Sequence, residues 1–284
     1  GIHMNLGMQR EIVKNLVVSA DFTRRVFLHT NLGDLDYNRF NRYINGVQTP
    51  VIPRCTGTQA SIPGFNCSQG PINFWTPAGR NVYNALLVKV DKRYSNKFLF
   101  TASYALTNAF GYNGINNMDQ WNSTWGPQQA RHILNISGIL DLPWGFQLGI
   151  ISTNSSMGPS MAVVGGVDLN GDGVATEPLP GLTWNCINRG CGKSEIERGV
   201  ATWNSTHAGK RDARGQLIQA LALPSNYTFG RPGSSQDVRV TKQFNFGERY
   251  KLSIFSEVFN VLNYANVGGI STTVDAASSN AFAF

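Results

Sequence analysis

Asp168-Leu-Asn-Gly-Asp-Gly173 sets side-chain oxygens at alternate positions ahead of a glycine. That is the first half of a calcium loop, where a hard cation collects closely spaced oxygens and the glycine allows the sharp turn. If metal binds, its ligands are the Asp168, Asn170 and Asp172 side chains with the Val174 carbonyl. Position twelve should carry a bidentate glutamate, but Leu179 stands there and Glu177 comes two residues early. The departure favours an Asx-rich turn in which these side chains bond the nearby backbone without a metal.

Other chemistry is thinner. Asp34 and Asp36, with His29 nearby, have the residue types of a carboxylate pair that activates water. Such a pair works only if geometry holds it together, and turn capping is the default in an Asn- and Gly-rich stretch. No HExxH, GxSxG, phosphate loop or dinucleotide fingerprint occurs, so the sequence reads as non-enzymatic. Asn122-Ser-Thr and Asn204-Ser-Thr are sequons in form only and read as loop residues. Four cysteines allow three connectivities, and Cys55/Cys67 with Cys186/Cys191 is the local one, closing small loops without help from the fold. Paired loop cysteines fit an oxidising, extracytoplasmic compartment, whereas the spacings are not CxxC and no histidine stands close enough for zinc. Tyr112, Trp121, Trp125, Trp184 and Trp203 are aromatic loop residues that could contact a ligand, and surface-loop packing accounts for them equally well.

All of these residues fall in stretches that strands must position. Four times, two alternating segments are joined by a few turn residues, at Val13-Lys14-Asn15, Ser95-Asn96-Lys97, Pro143-Trp144-Gly145 and Asn245-Phe246-Gly247-Glu248. Between the hairpins lie long polar stretches, roughly 24–81, 108–130 and 156–234. Short turns at one end and long loops at the other are the pattern of a transmembrane β-barrel wall. The spacing predicts eight strands over 2–11, 16–23, 86–94, 98–106, 131–142, 146–154, 236–244 and 249–260. Each alternates an apolar face, such as Leu86, Val88 and Val90, with a polar one, such as Lys89, Asp91 and Arg93. Tyr94, Phe98, Trp144, Phe146, Phe244, Phe246 and Tyr250 crowd the turn ends, as an interfacial aromatic girdle would.

Composition agrees. Charged residues are 14% of the 284, below the roughly 25% of soluble domains, and no run approaches the ~18 apolar residues of a membrane helix. The net charge of +7 is scattered, with no dense basic helix or RNP motif, which excludes nucleic acid in favour of lipopolysaccharide or an anionic solute. One loop segment reads as helical: Ser194-Glu-Ile-Glu197 has capping-box form ahead of Val200 and Trp203, predicting a helix over 194–206.

Ser235-Gln-Asp-Val-Arg-Val-Thr-Lys-Gln-Phe-Asn-Phe-Gly-Glu-Arg-Tyr-Lys-Leu-Ser-Ile-Phe-Ser-Glu-Val-Phe-Asn-Val-Leu-Asn263 resembles the C-terminal barrel of Oar-like TonB-dependent outer-membrane receptors. Val88-Lys-Val-Asp-Lys-Arg-Tyr-Ser95, Phe100-Thr-Ala-Ser-Tyr104 and Leu140-Asp-Leu-Pro-Trp-Gly-Phe146 support it, and Glu257-Val-Phe-Asn-Val-Leu-Asn263 is its most specific piece. The resemblance implies an all-β, antiparallel up-and-down barrel portion in the outer membrane of a Gram-negative bacterium, with the long loops outside the cell. It further implies uptake of a bulky solute powered by a TonB complex acting on a plug. Neither plug nor TonB-contacting segment is legible in residues 1–284, and Gly1–Gln9 already reads as strand. The expectation is therefore part of a larger barrel, with the last strand or two beyond Ser279–Phe284, forming an open sheet with two unsatisfied edges. A surface adhesion or secretion-linked structural protein is the alternative.

Overall fold

The computed structural model describes residues 1–38, 42–56, 66–113, 118–247, 249–267 and 273–276. Glu248 and the Ser279–Phe284 segment lie outside these residues, as does the side chain of Asp34. The strands in chain order are β1 (Ile2–Val13), β2 (Leu16–Asp36), β3 (Tyr43–Ile44), β4 (Val47–Gln48), β5 (Asn73–Ser95), β6 (Phe98–Gly111) and β7 (Gly126–Pro127). They continue with β8 (His132–Leu142), β9 (Phe146–Ser155), β10 (Val163–Gly165), β11 (Thr176–Pro178), β12 (Gly233–Phe246), β13 (Tyr250–Val258) and β14 (Thr273–Asp275). Among the described residues one α-helix, α1 (Lys193–Thr206), precedes β12.

The main sheet runs β1-β2-β5-β6-β8-β9-β12-β13, each strand antiparallel to the next, with the short β7 added beside β6. This is the up-and-down wall that the alternation predicts. The order leaves β1 and β13 at its two ends, each paired on one side only among the described residues, so the sheet is open.

Register explains why alternation along each strand becomes two continuous faces. Gln9, Ser19, Lys89, Ser103, Asn135, Thr153 and Ser235 line up as neighbours across seven strands. One residue away, Val18, Val90, Ala102 and Ile136 form an apolar row. A slip of one residue would exchange the faces, so each hairpin turn fixes which side meets lipid. Asn96 and Lys97 both hold positive φ, 53° and 69°, the pair that a two-residue turn needs to follow strand twist. Charges on the polar face pair locally: Lys89 Nζ lies 2.6 Å from Asp91, and Arg239 lies 3.3 Å from Glu257.

The wall has no core of its own. Leu6 is 77% and Met8 74% exposed, and every residue of β13 is exposed. Hydrocarbon must supply the contacts that a second layer gives a soluble sheet. At the short-turn rim, Trp144 is 84% exposed, and Lys92 and Lys242 hold their ammonium groups 4.6 Å from the Phe98 and Phe146 ring centres. That is headgroup-level chemistry, with apolar stems in lipid and charges at the surface.

Two differences from the sequence reading have local causes. β2 and β5 are far longer than expected, continuing to Asp36 and beginning at Asn73. Their pairing persists through irregularities between Leu28 and Leu35 that break strict alternation, so this extension reads as loop in sequence. Tyr94 leaves the girdle, because a register shift between Lys92 and Ser95 turns it to the polar face, where its hydroxyl bonds Asp141.

Opposite costs are expected on the two faces. Val88→Arg, on the apolar face, should lower unfolding stability by about 2–4 kcal/mol, whereas Ser137→Arg, on the polar face, should stay within about 1 kcal/mol. Denaturant unfolding in lipid vesicles measures both, and equal losses would contradict the face assignment.

Candidate functional site

At the end away from the short turns, three long connections and the segment after β13 knit into one cap. Its core is Ala162, Val164, Val167, Leu179, Ile187, Ile196, Val200, Trp203, Ile218, Leu221 and Ala276, all buried. α1 supplies Ile196, Val200 and Trp203 from one face, at the spacing predicted. Its start differs from the Ser194–Glu197 box. The N-cap is Gly192, whose N–H donates to Glu195 Oε2 at 2.8 Å, while the Ser194 hydroxyl turns to Glu195 Oε1. Only the glutamate half of a capping box exists, because glycine has no side chain to return the bond.

Disulfides join Cys55 to Cys67 and Cys186 to Cys191. The second closes a tight turn beside fully buried Ile187 and holds Asn185 and Arg189 against the neighbouring connection. Asn185 Nδ2 reaches Asn113 Oδ1 and the Pro127 carbonyl, each at 3.1 Å, and Arg189 bonds the Met157 and Gln129 carbonyls. The β3–β4 hairpin docks through Tyr43 N–H to the Gly171 carbonyl and Gly46 N–H to that of Ala213.

The Asp168–Gly173 turn lies inside this cap. Asp168 accepts from the Asp172 and Gly173 N–H groups at 3.1 and 2.9 Å, Asn170 from Asp172 at 2.9 Å, and Asp172 from Val174 at 2.8 Å. These are Asx-turn bonds, as the sequence favours. Glu177 joins them, accepting from Leu169 N–H at 2.8 Å. Burial and the nearby Asp172 and Asp168 carboxylates push Glu177 up to about 7, and burial also raises Asp168. Among the described residues, no three carboxylate, imidazole or thiolate side chains converge as a metal cage.

The predicted aromatic contacts separate into two kinds. Tyr112 gathers Trp121 and Trp125, with ring centres 4.5 and 4.8 Å away, and the Arg80 guanidinium lies 4.7 Å from the Trp125 ring centre. Trp184 is half-buried, and its carbonyl crosses so close to Gly126 that a Cβ there would stand 2.2 Å from it. Trp203 is a correction: it is fully buried on α1, in the cap core, and so is no surface contact for a ligand. Its position at helical spacing from Ile196 and Val200 was the available signal. Asp36 accepts from Ile72 N–H at 3.0 Å, a strand-end role in keeping with turn capping.

Below the cap, on the polar face, lies a cavity of about 610 Å³ whose lining includes Thr23, Arg25, Phe27, Tyr83, Leu87 and Gln128. Sequence reasoning missed Arg25 and Phe27, which sit in the stretch read as loop, and Tyr83, which falls between that stretch and the strand expected from residue 86. The signal was present, since Thr23, Arg25 and Phe27 continue the alternation of β2.

A single-layer antiparallel wall with one apolar and one polar face, short turns at one end and a cap at the other, defines a transmembrane β-barrel protein. The chain belongs to the outer membrane beta barrel domain family, whose model matches residues 2–283. Its place is accordingly the outer membrane. Among solved structures, the outer membrane transporter YddB from Escherichia coli matches over 95% of this chain, with a TM-score of 0.49 and 8% identity. The chain spans 29% of that transporter's length. No curated protein sequence matches it.

The raised Glu177 has a pH consequence. Its folded form prefers the proton, so its stabilising contribution is complete below its ordinary value of 4.5 and is lost as pH rises to about 7. Glu177→Gln should keep the bond from Leu169 and flatten this dependence, making the cap more stable than wild type above about pH 7. Thermal melts followed by tryptophan fluorescence across that window would show converging curves at acid pH, and parallel curves would refute the assignment.

Proposed function

We propose that the chain is part of the wall of an Oar-like TonB-dependent receptor that takes up a bulky solute across the outer membrane. The observation that carries this reading is the continuous polar row from Gln9 to Ser235, placed beneath a knitted cap. A polar row shared by seven strands suits a hydrated lumen, and a disulfide-braced cap at its mouth suits selection of what enters. The open edges at β1 and β13 suit a wider barrel, because unpaired ladder groups cannot face hydrocarbon.

In this reading the cap faces the cell exterior and the short turns the periplasm. The TonB complex supplies work through a plug, the element that the family resemblance implies. Lipids contact the apolar face. Arg24, on that face toward the cap and bonded to Asn84 at 3.0 Å, meets lipopolysaccharide phosphate. No covalent chemistry and no cofactor are involved. A calcium ion at Asp168, Asn170, Asp172 and the Val174 carbonyl would be structural, relieving the carboxylate crowding around Glu177.

Uptake by proteoliposomes carrying the full-length receptor tests the reading. Solute entry should require the TonB partners and an energised membrane, and deletion of the plug should remove that requirement or abolish entry. Partner binding that survives deletion of both plug and TonB, with no solute entry in any condition, would favour a surface adhesin instead.

A further inference from the structure

The cavity under the cap is built differently from the rest of the polar face. Thr23, Arg25 and Phe27 reach it from β2, and Tyr83 and Leu87 from β5. Gln128 and Gln129 line its upper rim, on a segment held by Gln128 N–H to the Ala109 carbonyl at 2.9 Å and Thr107 N–H to that of Arg131 at 2.8 Å.

One buried hydroxyl and one exposed cation set this cavity apart. Thr23 is 6% exposed, and its hydroxyl has no hydrogen-bond partner among the described residues. A buried hydroxyl without a partner carries a desolvation penalty that an incoming polar group removes. Arg25 makes no ion pair among the described residues, although Lys89 and Arg239, on the same face, each have a carboxylate. No acidic side chain lines the cavity. Asp21, four residues away on the same face of β2, lies over Gly7 instead, where a Cβ would stand 1.9 Å from its oxygen.

We propose that this cavity is a binding subsite for an organic anion with an apolar or aromatic body. The anionic group pairs with the Arg25 guanidinium, whose fork matches a carboxylate. A polar substituent bonds the Thr23 hydroxyl, and the body lies against Phe27 and Leu87. This deepens the uptake reading by naming a chemical class for the solute, and it is tested by binding alone, so either can fail without the other.

The probes are phenylacetate, phenylacetamide and phenethylammonium, titrated by ligand-observed NMR against the full-length protein folded in detergent. Phenylacetate should bind at least about tenfold more tightly than the amide, the worth of one charge-assisted hydrogen bond, and the cation least. Arg25→Gln should bring phenylacetate down to the level of the amide, and Arg25→Lys should fall between, which separates loss of the site from loss of the fold. Thr23→Val should leave these three probes unchanged, since none carries a further polar substituent, and should weaken 4-hydroxyphenylacetate. Arg93→Gln, on the polar face near the short turns, should change nothing. Equal affinity for the three probes, or an Arg25→Gln protein that keeps its preference for phenylacetate, overturns the proposal.

Discussion

Hydrocarbon offers the peptide backbone no hydrogen-bond partner, and this protein's architecture follows from that exclusion. Each spanning segment must find its partners in a neighbouring strand, because a lone strand in lipid leaves every N–H and C=O unpaired at several kcal/mol apiece. The antiparallel ladder from β1 to β13 meets the demand with hairpins, which need only a few turn residues to reverse the chain. Once strands pair in this way, the period of two along each becomes a period of two across all of them. The polar row from Gln9 to Ser235 and the apolar row from Val18 to Ile136 are therefore one fact seen from two sides.

The cap obeys the opposite rule. It sits in water, so it needs a core, and the buried apolar side chains of the described residues concentrate there around Trp203, Ile196 and Leu179. Connections that lack regular structure are held by disulfides, side-chain-to-carbonyl bonds and short two- and three-residue ladders. The acidic turn within it satisfies its carboxylates with backbone N–H groups, and burial, with the nearby Asp172 and Asp168, raises Glu177. The ligand-facing chemistry lies where these two regimes meet. There Thr23 is buried without a partner for its hydroxyl, two residues from the exposed Arg25.

The wall was largely legible in advance because its signal is local. Eight alternating segments and the identity of the two faces depend on neighbours two residues apart, and the structure keeps the eight strands and, Tyr94 apart, their faces. Where alternation breaks, legibility ends: the β2 and β5 extensions are held by long-range pairing across irregularities near His29, and the shift at Lys92–Ser95 moves Tyr94 to the other face. The cap was the least legible part. Trp121, Trp125 and Trp203 have the same residue type and similar polar surroundings in sequence. Whether a tryptophan seals a core or joins an aromatic cluster depends on which segments pack against it.

By itself, the sequence determined the class of protein and the side of each strand that meets lipid, because period-two patterning encodes burial on one face, while the outer membrane came from the resemblance to a known family. Tertiary structure alone decided the rest. It set the length of β2 and β5, placed Trp203 in a core and brought Thr23 and Arg25 together with Tyr83 and Gln128 around a cavity. Each of these arises from contacts between residues far apart in the chain, and no spacing along a strand can record such contacts.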